Sequence, residues 1–289
     1  MSIFDIFKKN NLKTTLSALR KNEIVITPSK NETTLRPDES KIGGKPFLPA
    51  DFVWPQFTSK DDNVKRPLSF FCQINLSDVA FYDKDNLLPK DGMLYFFYEC
   101  ESFCWGFDPD DKGAARVFYY ENTNGFSLID FPNDLDESYQ MPEIAVKFTA
   151  KSSYPMYEEF NSLSDLNCEW EKYDNMLEKL GINLDTDPYD HKLLGYADII
   201  QGEMLSECER VTRGLYSGTV ESYQNTPEDE ACDIIEKAKD WTLLLQLGTI
   251  STDDFEWMFG DCGMLYFYIK KQDLVAKNFD NVWFSLQCG

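Results

Sequence analysis

The only histidine of the chain, His191, sets the first limit on the catalytic chemistry that the sequence can support. It lies in the polar segment DPYDHKLLG, and any Ser-His-Asp or Cys-His site would have to use it. The chain has no G-x-S-x-G motif for a serine nucleophile and no G-x-x-x-x-G-K-[ST] loop for a nucleotide phosphate. We therefore interpret His191 as an incidental residue of a turn, and the sequence predicts no cofactor.

A second group of reactive side chains is acidic and precedes an apolar strand near the C-terminus. Paired carboxylates hydrolyse glycosides or bind metal ions, but among fifty acidic residues such clusters also arise by chance. Asp261 stands closest to the strand, and we interpret its carboxylate as a turn cap that accepts hydrogen bonds from backbone N–H groups. The cluster consists of Asp253, Asp254, Glu256 and Asp261.

Two other segments resemble metal sites but lack the ligands that a metal needs. The loop FDPDDKG has the start of a calcium-loop spacing, but Lys112 and Tyr119 occupy positions that require oxygen ligands, including a bidentate carboxylate. Cys100 and Cys104 are close neighbours, yet their spacing and the single histidine match no zinc motif. The sequence therefore predicts no metal site.

Two glutamines lie at equivalent places in apolar strand patterns. Gln73 is in SFFCQIN (69–75) and Gln246 is in TLLLQLG (242–248). A buried amide side chain costs free energy unless its donors and acceptors are paired. Two interpretations follow: the glutamines bridge the two parts of the protein, or they line a shared pocket together with Trp54.

The strands that follow these glutamines carry an internal repeat. Gly92 and Gly263 both open the sequence GMLYF, nineteen residues after the first glutamine and seventeen after the second. The closing strands ARVFYYE (115–121) and NVWFSLQC (281–288) complete the same order, which indicates a duplication. A glycine before an apolar strand permits a positive φ or a close backbone approach. We expect the two copies to pack together or to share one sheet, because each alone would expose an apolar face.

Helical periodicity appears outside the repeated strands. A short amphipathic helix is predicted within residues 10–22, and a strand follows at 23–27. Apolar residues three and four positions apart predict a longer helix over 163–180, which Gly181 ends. Two further helices are predicted at 201–212 and 228–239.

Together these elements predict an α+β protein with a largely antiparallel sheet from two diverged repeats and helices packed around it. We divide the chain into an N-terminal helix and strand (1–40), a first β-rich repeat (41–150), and a helical insert with a second β-rich repeat (151–289). We expect the three parts to form one globular unit.

The sequence predicts a cytoplasmic protein. No apolar run approaches the eighteen or so residues that a membrane helix needs, and the N-terminus lacks the features of a secretory signal. In that compartment we expect the eight cysteines to be reduced thiols rather than a disulfide framework.

The net charge of −22 indicates which classes of partner the protein can attract. An acidic surface repels phosphate backbones and anionic lipid, so we expect neither nucleic-acid nor membrane binding. A basic protein would be attracted and steered towards this surface.

Several of these segments resemble the YwqG-like family, a bacterial domain of unknown function. The resemblance begins with KIGGKPFLP…WP (Lys41–Pro55), which contains Gly43, Gly44 and Trp54, and extends to the C-terminus. Phe259 stands where the family often has tryptophan in Trp-Gly-Asp, and the aspartate is kept as Asp261. The resemblance implies no catalytic residues, but its association with toxin-related gene neighbourhoods implies an immunity-type role.

The sequence therefore favours a non-enzymatic binding protein, with a basic protein such as a toxin as its partner. The alternatives are a carboxylate-based hydrolase and a small-ligand-binding protein with a site between the repeats or in the aromatic Lys41–Pro55 segment. The candidate ligand-binding or repeat-interface residues are Gly43, Gly44, Trp54, Gln73, Gln246 and Asp261.

Overall fold

A computed structural model describes residues 3–29, 34–164, 166 and 168–289. These residues form sixteen β-strands and eight α-helices. The strands are β1 (Lys21–Pro28), β2 (Lys41–Ile42), β3 (Phe47–Pro49), β4 (Gln56–Thr58), β5 (Lys65–Pro67), β6 (Ser69–Asn75), β7 (Met93–Tyr98), β8 (Ala115–Tyr120), β9 (Phe126–Leu128), β10 (Ile144–Ser153), β11 (His191–Leu194), β12 (Trp241–Leu247), β13 (Ile250–Ser251), β14 (Glu256–Trp257), β15 (Met264–Lys270) and β16 (Trp283–Gln287). The helices are α1 (Ile3–Leu19), α2 (Leu76–Val79), α3 (Tyr157–Leu163), α4 (Trp170–Leu180), α5 (Leu205–Thr212), α6 (Val220–Gln224), α7 (Glu228–Ala238) and α8 (Lys271–Val275).

Ten of these strands form one antiparallel sheet in the order β16-β15-β12-β11-β1-β10-β2-β6-β7-β8. We call β2, β6, β7 and β8 the first half and β11, β12, β15 and β16 the second half. Between the halves lie β1, from the N-terminal segment, and β10. The α+β class and the antiparallel pairing predicted from the sequence are confirmed.

The inner face of the sheet forms a core that both halves share. In β15, Leu265, Phe267 and Ile269 belong to this core, whereas Tyr266 points the other way and packs into a second apolar cluster beneath α5. Phe96 of β7 meets Phe267 across the interior, with ring centroids 5.2 Å apart. Because successive side chains of a strand face opposite sides and both sides are covered, these strands are apolar throughout.

The two end strands of the sheet, β8 and β16, approach each other and nearly close it. We call the gap between β8 and β16 the seam. A loop of the first half that contains Trp105 and Gly106 bridges this gap, and we call it the seam loop. The Trp283 indole N–H donates to the Gly106 carbonyl oxygen at 2.8 Å, and the Leu286 N–H donates to the Trp105 carbonyl oxygen at 2.9 Å. The seam loop therefore supplies hydrogen-bond partners to the β16 end of the sheet.

The helices α5 and α7 lie within the predicted ranges 201–212 and 228–239. The helix predicted within 10–22 begins earlier, at Ile3, and β1 begins at Lys21, inside the predicted range. The periodic segment 163–180 is not one helix, because α3 ends at Leu163 and α4 begins at Trp170. Positions 165 and 167 of that predicted helix lie outside the described residues. Gly181 ends α4 in a left-handed conformation, as predicted. Within the described part of the chain, no helix combines the length and apolarity that crossing a bilayer requires.

The glycines that open the two GMLYF strands are confirmed as sites of close backbone approach. Gly92 has a φ of +91°, and a Cβ atom there would lie 2.5 Å from the Tyr120 carbonyl oxygen. At Gly263 a Cβ atom would lie 2.0 Å from the Phe259 carbonyl oxygen and 2.4 Å from that of Gln287. Both contacts are with backbone, which cannot rotate away as a flexible side chain would.

We expect Gly263→Ala to lower the free energy of unfolding by about 2 kcal/mol or more, since the strands around it must separate to admit a methyl group. Gly202→Ala is the control, because no atom lies within 4 Å of its added Cβ and its φ is not positive. That variant should leave stability unchanged or raise it by about 0.5 kcal/mol. Urea denaturation of both at pH 7 measures the difference, and equal stabilities would contradict the close approach.

Candidate functional site

Two buried lysines occupy matching places in the two halves of the sheet. Lys41 of β2 pairs in register with Gln73 of β6, and Lys192 of β11 pairs in register with Gln246 of β12. All four side chains are buried. A buried ammonium group or amide is costly unless it is hydrogen-bonded, so each lysine–glutamine pair must be part of a polar cluster.

The backbone after each lysine follows the same path. Gly43 and Leu194, two residues after their lysines, both have a φ of +60°, and the next residues, Gly44 and Gly195, have φ values of +66° and +75°. A Cβ atom on Gly43 would lie 2.1 Å from the Pro142 carbonyl oxygen. The predicted site residues Gly43 and Gly44 therefore set the path of the chain as it leaves β2.

The first-half polar cluster, which consists of Lys41, Gln73 and Tyr95, holds backbone. The Gln73 Oε1 atom accepts from the Phe47 N–H at 3.0 Å, and the Tyr95 hydroxyl donates to the Phe47 carbonyl oxygen. Lys41 donates to the Glu143 carboxylate at 2.6 Å. This cluster positions the start of β3, and the side chain at the held position is the apolar Phe47.

The second-half polar cluster, which consists of Lys192, Gln246 and Tyr266, holds Asp198 in the same way. The Gln246 Oε1 atom accepts from the Asp198 N–H at 2.9 Å, and the Tyr266 hydroxyl donates to the Asp198 carbonyl oxygen at 2.5 Å. Here the held residue has a carboxylate of its own. Its two oxygens accept from the Lys192 ammonium group at 2.7 Å and from the Gln246 amide at 2.6 Å.

Beside Asp198 the surface opens into a pocket of about 410 Å³, which we call the second-half pocket. Strands β1, β10 and β11 and residues 180–185 line it. Its charged lining side chains are Glu23, Lys151, Asp185, Asp190, Lys192 and Asp198. With four carboxylates and two ammonium groups, the pocket carries a local excess of negative charge.

The two lysines of the pocket are drawn towards its inner carboxylates. The Lys192 ammonium group lies 3.6 Å from the Glu23 carboxylate, and Lys151 lies 3.6 Å from the other oxygen of Glu23. Asp190 stands at the exposed side, where partial burial and then repulsion from Asp198 raise its pKa above the usual value. Among the lining carboxylates, Asp190 is therefore the one whose negative charge a cationic ligand would stabilise most directly.

His191 also lines this pocket, but it acts as a structural acceptor. Its side chain is buried, and its Nδ1 atom accepts from the Gly248 N–H at 3.1 Å. Burial lowers the pKa of His191 to about 4, so the imidazole is neutral near pH 7. The prediction that His191 is an incidental turn residue is wrong, because it is the first residue of β11 and bonds to the chain after β12.

The two predicted glutamines do not share a site. Gln73 and Gln246 each bond within their own half, and β2, β10, β1 and β11 lie between their strands. At ~4.8 Å per strand they are separated by about 24 Å along the sheet. Their buried amides are paired, as the energetic argument from the sequence required.

The remaining predicted residues lie elsewhere. The Trp54 indole N–H donates to the Leu68 carbonyl oxygen at 2.7 Å, and its ring packs edge-on against Phe97 in a groove of the first half. Asp261 is exposed, and its described hydrogen bond runs from the Gly289 N–H to its backbone carbonyl oxygen at 2.8 Å. Neither residue lines the second-half pocket.

Sequence reasoning did not single out Lys192 and Asp198, the polar residues most closely held in the pocket. A lysine in a short apolar strand indicates a solvent-facing position, and Asp198 is one of fifty acidic residues. The signal that could have found Lys192 is the similarity of KLLG (192–195) to KIGG (41–44), which pairs Lys192 with Lys41.

A family model described as a domain of unknown function, DUF1963, matches residues 40–288 of the chain. The match includes both polar clusters and most of the second-half pocket. A search of curated proteins found no match.

The neutral His191 predicts a specific pH dependence of stability. As pH falls from about 6.5, the unfolded chain binds a proton at this residue, whereas the folded protein binds it only near pH 4. Stability is therefore lost between pH 6.5 and 4, by about 3 kcal/mol for a pKa difference of this size. His191→Asn removes the titration and keeps an acceptor near the Gly248 N–H.

The measurement is urea denaturation of both proteins from pH 7 to pH 4. The buried Glu159 and Glu207, whose pKa values burial raises to about 7, contribute the opposite trend, but they do so in both proteins. The stability of His191→Asn relative to the natural chain should therefore rise as pH falls. A difference that stays constant over this range would show that His191 titrates normally.

Proposed function

The chain belongs to DUF1963, a family of unknown function, and we propose that it is a non-enzymatic binding protein whose second-half pocket takes a cationic side chain of a basic protein partner. One observation carries this proposal. The carboxylate of Asp198 is fixed by hydrogen bonds from Lys192 and Gln246, and it still has a fifth of its side-chain surface exposed in the pocket. A preorganised, partly exposed carboxylate pays little ordering entropy when it binds a cation.

A comparison of the two halves supports a binding role for this carboxylate. Both polar clusters hold a backbone N–H and carbonyl in the same pattern, but the held residue is Phe47 in the first half and Asp198 in the second. The Phe47 ring packs against Phe126, with centroids 5.7 Å apart. The first-half position is thus filled by apolar packing, whereas the second-half position faces a polar pocket.

The size and charge of the pocket favour one side chain or a short segment rather than a large ligand. Its volume of about 410 Å³ is at the low end for small-molecule sites. Its carboxylates outnumber its ammonium groups by two to one. The net charge of −22 would steer a basic protein towards it and increase the association rate at low salt.

We infer further that the two halves arose by duplication and that the chain is a YwqG-like protein of bacterial cytoplasm. The matching order of β2-β6-β7-β8 and β11-β12-β15-β16 about the central strands supports duplication. The free state of all eight cysteines fits a reducing compartment. The toxin-related gene neighbourhoods implied by the YwqG-like resemblance favour an immunity-type role, with a basic toxin as the partner.

The proposal predicts that two pocket variants bind a basic peptide more weakly. The probe is acetylated, amidated hexalysine, titrated by calorimetry into the full chain at pH 7 and about 0.15 M salt. Asp198→Asn should raise the dissociation constant about tenfold, equivalent to ~1.4 kcal/mol. Asp190→Asn, at the exposed side of the pocket, should raise it by a smaller factor without disturbing the polar cluster.

The matched control is Glu143→Gln, whose carboxylate pairs with Lys41 of the first half. It removes the same unit of charge from the equivalent lysine–carboxylate pair, Lys41–Glu143, outside the second-half pocket. We expect its hexalysine affinity to stay within about twofold of the natural chain, since only the general attraction changes. Equal weakening by Glu143→Gln and Asp198→Asn would show that the acidic surface as a whole binds the peptide.

A further inference from the structure

The segment between α5 and α7 carries three exposed apolar side chains on one short turn. Tyr216, Val220 and Tyr223 are 39%, 74% and 41% exposed. Val220 and Tyr223 lie three residues apart on α6 and therefore on the same side of that helix. Single exposed apolar residues are normal on a protein surface, but three of them within residues 216–223 require an explanation. We call Tyr216, Val220 and Tyr223 the α6 patch.

A buried arginine holds the turn that carries the α6 patch. Arg210 of α5 is 3% exposed, and its guanidinium lies 4.0 Å from the centroid of the Tyr223 ring. Its hydrogen bonds go to uncharged oxygens of the turn. The acceptors are the hydroxyls of Ser217 and Thr226, at 3.2 and 2.9 Å, and the carbonyls of Tyr216 and Ser222, at 3.3 and 3.0 Å. Because one side chain bonds to both the start and the end of the turn, the two tyrosines are held in fixed positions.

The Tyr216 ring also packs against the loop between β7 and β8. Its centroid lies 5.6 Å from that of Phe107 in an edge-on contact, and the Ser217 N–H donates to the Phe107 carbonyl oxygen at 2.8 Å. A Cβ atom on Gly218 would lie 2.3 Å from the Tyr216 hydroxyl oxygen, so this hydroxyl lies against the Gly218 backbone. The α6 patch is therefore ordered before any partner arrives, and binding to it costs little conformational entropy.

The segment that carries the α6 patch is acidic and has no cation of its own. Residues 214–236 contain six carboxylates and no Lys or Arg. Two of the six are paired, because Asp233 lies 2.8 Å from Arg213 and Glu236 lies 3.0 Å from Lys239. Among the described residues, no cation lies within 4 Å of the other four. These four are Glu221, Glu228, Asp229 and Glu230.

The unpaired carboxylates adjoin the apolar side chains. Glu221 directly follows Val220 on α6. Glu228 begins α7 two residues after Thr226, whose hydroxyl is one of the acceptors of Arg210. A centre of aromatic and aliphatic side chains with a charged rim is the usual anatomy of a protein-binding surface.

We propose that the α6 patch and its unpaired carboxylates bind a protein segment that presents apolar side chains together with lysine or arginine. Val220 and the two tyrosines supply the apolar contact, and Glu221 and the first turn of α7 attract the cations. A second copy of this chain does not fit the surface, since each copy carries a net charge of −22. None of these residues lines the second-half pocket, so this surface is a separate site from the one proposed there.

The probe is the amidated peptide LKKLLKLLKKLLKL, labelled with fluorescein at its N-terminus and kept at nanomolar concentration. The full chain is titrated into it at pH 7 and about 0.15 M salt, and binding is followed by fluorescence anisotropy. A matched peptide, in which serine replaces every leucine, carries the same charge. We expect the leucine peptide to bind about tenfold more tightly, since only its side chains can cover the apolar groups of the patch.

Two variants locate the binding on the α6 patch. Val220→Ser should raise the dissociation constant of the leucine peptide about fivefold and leave that of the serine peptide unchanged, because it removes only apolar contact. Glu221→Gln should raise the dissociation constants of both peptides about threefold, because either peptide places lysines near this carboxylate.

The matched controls are Val275→Ser and Glu178→Gln, which make the same chemical changes elsewhere. Val275 is 81% exposed on α8, and Glu178 is exposed on α4. Both controls should bind the leucine peptide within about twofold of the natural chain, since distant charges are screened. The proposal is overturned if the two peptides bind equally, if either patch variant binds the leucine peptide as the natural chain does, or if the controls weaken binding as much as the patch variants.

Discussion

The contact between Phe96 and Phe267 joins the two halves of the sheet, and the rest of the architecture depends on the shared core around it. Each half is a four-stranded antiparallel unit whose inner face would be exposed if it stood alone. Burial of one phenylalanine side chain contributes roughly 1.5–3 kcal/mol, and the inner faces of both halves contribute many such residues. The sheet must therefore curve until the two inner faces meet, which is why its end strands come together at the seam.

This burial forces the polar residues of the same strands into defined partnerships. Gln73 and Gln246 have no exposed surface, so each amide must bond to protein groups. Each does so by holding the backbone of a residue outside its strand, Phe47 in one half and Asp198 in the other. The need to pair each buried amide determines where the backbone of the held residue lies, but it does not determine the side chain of that residue. A position of this kind can change from apolar to acidic without loss of the backbone hydrogen bonds.

The sequence predicted most strands of this frame, but it predicted neither β2 nor β11, which carry the buried lysines, and it predicted the site poorly. Apolar runs such as 69–75 and 242–248 identify strands because both faces of the sheet are covered, and the GMLYF glycines mark real close approaches. The central place of β1 was not predictable, since it depends on pairing with β10, more than a hundred residues away. The helix over 163–180 was predicted as one because periodicity alone does not show that Ser164 is extended.

The environments of the charged residues were not predicted for a related reason. Strand register, rather than local sequence, determines which groups surround them. Lys192 is buried only because β11 places it opposite Gln246 and near Glu23. Arg116 faces the seam only because β8 is the last strand of the sheet. The net charge of −22 is an average over positions that the fold distributes unevenly, and the second-half pocket has four carboxylates against two ammonium groups. Since salt screens charges beyond about 8 Å, the local lining of a site, rather than the overall charge, sets the sign of the ligand that the site favours.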